Sequence, residues 1–156
     1  MDTGPFVDEH EVRVSAPALV VWRTLTERLS GAQSGRRVAF AHLLGTEPRR
    51  PSGTFPEEGA TLAGFKVTES VRGKLLELTG RHRFSRYRLV LTLAEQAGAT
   101  VVSARTYARF PGPHGAVYRL LVIGSGAHRV VAQALLRDVR RQAENHRRPT
   151  GAEGDK

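Results

Sequence analysis

The chain has 156 residues, enough for one domain of ordinary size whose folding would bury about two-thirds of the unfolded surface. Its 40% hydrophobic and 25% charged content is that of a globular protein, and the absence of cysteine excludes disulfides, thiolate nucleophiles, cysteine-ligated zinc and iron–sulfur clusters. The net charge is +9; only Lys66, Lys74 and Lys156 are lysines, which leaves 21 arginines among the 24 basic residues.

The N-terminus, Met1 to Pro5, is acidic and no apolar run follows it, so it does not read as a signal peptide. The longest apolar stretches, such as Leu120 to Ile123, are far too short to span a bilayer. A cytoplasmic protein is the expectation. Phe6 to Ser15 alternates as a strand, with Val7, Glu9 and Glu11 opposite His10, Val12 and Val14. Ser15-Ala16-Pro17 then starts a helix, with Ser15 or Ala16 as cap and Ala18, Trp22, Leu25 and Leu29 as its apolar stripe, and Gly31 ends it. Arg36 to Leu44 reads as a second short helix closed by Gly45. The Pro- and Gly-rich stretch from Thr46 to Ala60 reads as a long loop.

From Thr61 the period changes to two. Leu62 to Val71 reads as a strand, Arg72-Gly73 as a tight turn and Lys74 to Thr79 as the return strand. Gly80-Arg81-His82-Arg83 reads as a turn or a bulge, and Arg86 to Glu95 and Ala99 to Phe110 follow as two more strands around a turn at Gln96-Ala97-Gly98, which makes an antiparallel meander. Pro111-Gly112-Pro113 breaks the last strand. Gly115 to about Asn145 is the longest helical pattern, with Val117, Leu121, Gly124, His128, Val131, Leu135 and Val139 at helical spacing. Unbroken, a helix of about 30 residues would be about 45 Å long, more than the ~40 Å span of a domain this size. A break near Gly124-Ser125-Gly126 is therefore expected. Residues 6–146 read as one domain and 147–156 as a disordered tail.

This order gives an α+β chain: an antiparallel sheet curved around a long C-terminal helix, with two short helices after the first strand. It resembles the START and polyketide-cyclase superfamily, also called birch-pollen-allergen-like or helix-grip. The resemblance rests on Val12-Arg13-Val14-Ser15-Ala16-Pro17 leading into the Trp22 helix, and on Phe110-Pro111-Gly112-Pro113 leading into the last helix. The stretches Gly80 to Tyr87 and Val117 to Gly124 are similar to an uncharacterised bacterial branch of it. The superfamily implies a cavity between sheet and helix. It also implies two strands before the meander that Thr46 to Ala60 supplies poorly. Its members include lipid carriers, receptors, ring cyclases and oxygenase subunits, so the resemblance does not choose a function.

The small residues Gly124 and Ala127 between Leu121 and Val131 leave room for such a cavity opposite Leu89, Leu91 and Tyr107; close packing or a kink would use them equally well. Read as one strand, Arg83, Ser85 and Tyr87 share the face of Leu89, which puts Arg83 and Tyr87 at the cavity edge, where an arginine could clamp an anion. A solvated hairpin end explains the same charges. His82, Tyr87, Tyr107 and His128 are the candidates for proton transfer or carbonyl polarisation, and the candidate ligand contacts are Arg83, Tyr87, Leu89, Leu91, Tyr107, Leu121, Gly124, Ala127, His128 and Val131. His114, Tyr118 and Arg119 at the start of the last helix offer a further polar point or simply fix the corner. The six histidines show no metal-ligand spacing, no Gly-rich phosphate loop is present, and the sequence asks for no cofactor.

Three functions follow in order: binding of a small, mostly apolar molecule; a polyketide-type cyclase or dehydratase, which needs two of the candidate side chains in one pocket; and binding of nucleic acid or another polyanion through the arginines. The arginines are scattered and dense only from Arg137 to Arg148, and the aromatic content is 6%, which places nucleic acid last. A homodimer is left open.

Overall fold

The computed structural model describes residues 4–31, 45–83, 85–124 and 127–147; at residues 118, 120–124, 127, 128, 131 and 147 it describes the backbone. The elements are β1 (Phe6–Val14), α1 (Ala18–Gly31), β2 (Thr61–Leu62), β3 (Phe65–Val71), β4 (Leu75–His82), β5 (Ser85–Gln96), β6 (Ala99–Arg109), α2 (Gly112–Gly124) and α3 (Ala127–Arg147). The strands form one six-stranded antiparallel sheet in the order β1-β6-β5-β4-β3-β2. The last strand thus returns beside the first, and the meander fills the rest.

Side chains alternate across each strand, so the cross-strand register fixes which residues share a face. Val12 pairs with Val102, Leu93 with Val102, Leu91 with Ala104, Leu76 with Leu91 and Leu78 with Leu89. These residues form the core face. Against it pack Val21, Trp22 and Leu25 of α1 and Leu136, Val139 and Ala143 of α3. Each fully buried Leu or Val contributes roughly 1.5–3 kcal/mol, so α1 and α3 together cover the sheet. The outer face carries charge pairs: Glu9 accepts from Ser103 (2.7 Å) and Arg105 (2.8 Å), and these bonds hold its carboxyl below the usual carboxylate range.

The Ala97-Gly98 turn has both central residues at positive φ, 50° and 74°, the type I′ geometry that matches the twist of a two-residue hairpin. The corner entering α1 is tied to three elements. Thr100 Oγ1 donates to the Ala16 carbonyl (2.7 Å), the Ser15 amide donates to Glu144 on α3 (3.0 Å), and the Ala18 amide donates to Glu95 on β5 (3.3 Å). Pro17, rather than Ser15 or Ala16, accepts the first helical bonds, from Val20 and Val21.

Several boundaries differ from the sequence reading. The expected strand Leu62 to Val71 is a short hairpin, β2 and β3, with Gly64 at φ 88° between them. The stretch 46–60 contributes two isolated bridges, Glu47 with Arg81 and Ser52 with Thr61, in place of full strands. The long C-terminal helical pattern is divided in keeping with the expected break: α2 ends at Gly124 and α3 begins at Ala127. Val117, placed on the core stripe by spacing, is 59% exposed. The expected helix Arg36 to Leu44 and the tail beyond Arg147 lie outside the described residues.

Candidate ligand cavity

Between the sheet and α3 lies a cavity of about 870 Å³. Among the described residues its inner wall is Phe65 of β3, Leu89 and Leu91 of β5, Ala104 and Thr106 of β6, and Ala132 and Leu135 of α3. The space follows from size. Leu91 and Leu89 oppose Ala104 and Thr106 across the strand pair, and Ala132 stands one helical turn before Leu135 and Leu136. Small residues on two sides leave a volume that the leucines do not fill.

The rim is polar and belongs to the two helices. Arg28, in the last turn of α1 where a cation is favoured by the helix dipole, donates from Nε to Gln142 Oε1 (2.7 Å) and pairs through Nη1 with Asp138 Oδ2 (3.0 Å). Arg141 reaches the other oxygen of Asp138 at 3.9 Å. Glu27 completes the rim.

On β1, Asp8 and His10 lie on the core face, since they pair with Thr106 and Ala104. His10 Nε2 is 3.1 Å from Asp8 Oδ2, and Asp8 is buried. This pair stands on the core face beside Thr106 and Ala104. The alternation through Val12 and Val14 placed His10 on this face, but no spacing in the sequence joined it to a partner.

Of the residues singled out from sequence, Leu89 and Leu91 line the cavity. The side chains of Leu121, Gly124, Ala127, His128 and Val131 lie outside the described residues, as does that of Tyr118. Arg83 falls in the β4–β5 turn and is exposed, away from the cavity. Tyr107 is on the outer face: its cross-strand partner is Arg88, and the Arg88 guanidinium stacks over its ring at 4.5 Å from the centroid. Thr106, one residue earlier and paired with Leu89, lines the cavity where Tyr107 was expected to join Leu89 and Leu91. A one-residue offset sends a side chain to the other side of a sheet.

His82 and Tyr87 do come together, with ring centroids 5.9 Å apart. The single-strand reading put them on opposite faces. The chain instead reverses between them, and His82 pairs directly with Ser85, so both rings stand on the core side. His82 Nε2 shares a 2.9 Å hydrogen bond with Ser85 Oγ, and burial pushes its pKa below the usual 6.5, which leaves the imidazole neutral at pH 7. Tyr87 donates its hydroxyl proton to the Gly64 carbonyl (2.7 Å), and its ring meets Phe65 edge-on at 5.3 Å. Tyr87 therefore backs the Phe65 wall of the cavity, with its hydroxyl engaged by the main chain. His114 and Arg119 are exposed at the start of α2. The rim residues Arg28, Asp138 and Arg141 were missed, because in sequence they are ordinary charges on amphipathic helices.

Among the described residues no group of three His, Asp or Glu side chains is placed to hold a metal ion, and no helix is long and apolar enough to cross a membrane.

No protein-family model matches the sequence, and no curated protein matches it. Solved structures do resemble it. CalU16 from Micromonospora echinospora matches with a TM-score of 0.56 over 90% of this chain and 76% of its own, at 15% identity. Ara h 8.0201 matches with a TM-score of 0.54 over 88% and 97%, at 8% identity. Ms6760 from Mycobacterium smegmatis matches with a TM-score of 0.52 over 95% and 100%, at 11% identity. The likeness is one of fold: the chain has the helix-grip fold, an antiparallel sheet curved around a C-terminal helix.

Proposed function

We propose that the protein binds a small, mostly apolar molecule in the cavity between the sheet and α3. The observation that carries this reading is the roughly 870 Å³ space walled by Phe65, Leu89, Leu91, Ala104 and Leu135, within the size range of small-molecule sites. Thr106 on the inner wall supplies a polar group that can orient a ligand, and the polar rim keeps the mouth wet. The cyclase reading gains less support, because the two candidate rings that converge, His82 and Tyr87, are hydrogen-bonded to Ser85 and to the Gly64 carbonyl.

The test is native mass spectrometry of protein purified from its own cells, with a melting curve before and after extraction of apolar compounds. A retained small molecule, with a melting temperature that falls on its removal, is expected. A chain of bare mass, unmoved in its melting temperature by any apolar compound, would contradict the reading.

A further inference from the structure

We propose that the cavity selects amphiphiles with an anionic head, a carboxylate on an aliphatic or aromatic body, and that Arg28 and Arg141 at its mouth read that head. This rests on the cavity reading and adds the chemical class of the ligand.

The inner wall is apolar and the charges sit at the mouth, so a ligand with one polar end enters tail first. Two arginines from different helices meet there around one carboxylate. Asp138 gives one oxygen to Arg28 at 3.0 Å and turns the other toward Arg141 at 3.9 Å, too long for a hydrogen bond. Arg28 is held by two partners, since Gln142 takes its Nε proton. That orients its planar fork while other N–H donors remain for an incoming group. Arg141 is 75% exposed along its side chain, so it can turn to a ligand without losing a short contact. A carboxylate at the mouth thus meets one fixed and one movable guanidinium, and the net charge of +9 draws anions toward it. Asp138, already paired with Arg28, and Glu27 are the opposing charges on the rim, and both limit the gain.

Decanoate and decan-1-ol share a tail and differ in the head, which makes them the probes. Calorimetric titration of the full chain with each is expected to give decanoate the tighter binding by about tenfold at low salt. The margin should shrink as salt is added. Arg141→Gln and Arg28→Gln should each weaken decanoate severalfold and leave decan-1-ol within twofold. Glu27→Gln should strengthen decanoate. Arg141→Gln keeps the Arg28–Asp138 bridge, so its effect is not one of misfolding. Equal binding of the two probes, or a preference for decanoate that survives both arginine variants, would overturn the inference while leaving the cavity reading intact. If neither probe binds, the inference is overturned, while the cavity reading is decided by the retained molecule and the melting curves.

Discussion

Tyr87 lies over Gly80, its partner across the β4–β5 ladder, so closely that a Cβ on the glycine would come within 2.5 Å of the tyrosine ring and 2.0 Å of the Gly64 carbonyl oxygen. The missing side chain lets the ring lie flat and reach Gly64, which joins β5 to the β2–β3 hairpin. Gly80→Ala should therefore destabilise the fold by about 1–3 kcal/mol, the usual cost of overpacking. Tyr87→Phe, which keeps the ring and removes one hydrogen bond, should cost about 1 kcal/mol. Urea denaturation of both variants measures this. A Tyr87→Phe protein of unchanged stability would mean that the hydroxyl serves something other than Gly64.

Ala132 gives the cavity its width on the α3 side. Ala132→Leu puts three more carbons into open space rather than into packed core, so stability should change by less than about 1 kcal/mol. Affinity for an apolar probe such as decan-1-ol should fall by about tenfold or more, read by the same calorimetric titration. Undiminished affinity would place the probe elsewhere.

Tyr107 tests the assignment of faces. It packs on the outer surface against Arg88 and against Phe6, whose ring centroid is 5.9 Å away. Tyr107→Ala should cost about 0.5–1.5 kcal/mol from these contacts and leave probe affinity unchanged. A loss of binding in a protein of near-normal stability would put Tyr107 back at the ligand.

His82 sets a pH dependence. In the unfolded chain its imidazole titrates near 6.5, and in the fold burial holds it lower. As pH falls, the unfolded state takes up the proton first. The stability tied to neutral His82 is complete above about pH 6.5 and is lost as pH drops through that value toward the folded pKa. Melting temperatures from pH 7.5 to 5 should fall, and should fall less in His82→Gln. Parallel curves for the two proteins would remove His82 from the acid response.

The order of elements was legible because each carries a local signal: the Ala97-Gly98 turn, the Pro-Gly breaks and the switch from period two to helical spacing. Leu89 and Leu91 could be placed in the cavity because alternation along β5 is regular. The failures came where a reversal or an offset changes faces without changing composition. The turn at Arg83 put His82 beside Tyr87 instead of opposite it. The β5–β6 register put Thr106, not Tyr107, on the cavity side with Leu89 and Leu91. The Arg28–Asp138 bridge spans more than a hundred residues, and only the packing of α1 against α3 brings its partners together.

The central claim is that the space under α3 is a binding site. Amide chemical-shift mapping of the isotope-labelled protein during titration with decan-1-ol tests it most directly. Saturable shifts that cluster at Phe65, Leu89, Leu91, Ala104, Thr106 and Leu135 are expected. Shifts that never saturate, or that spread over the outer face around Arg88 and Tyr107 while these six residues stay still, would contradict it.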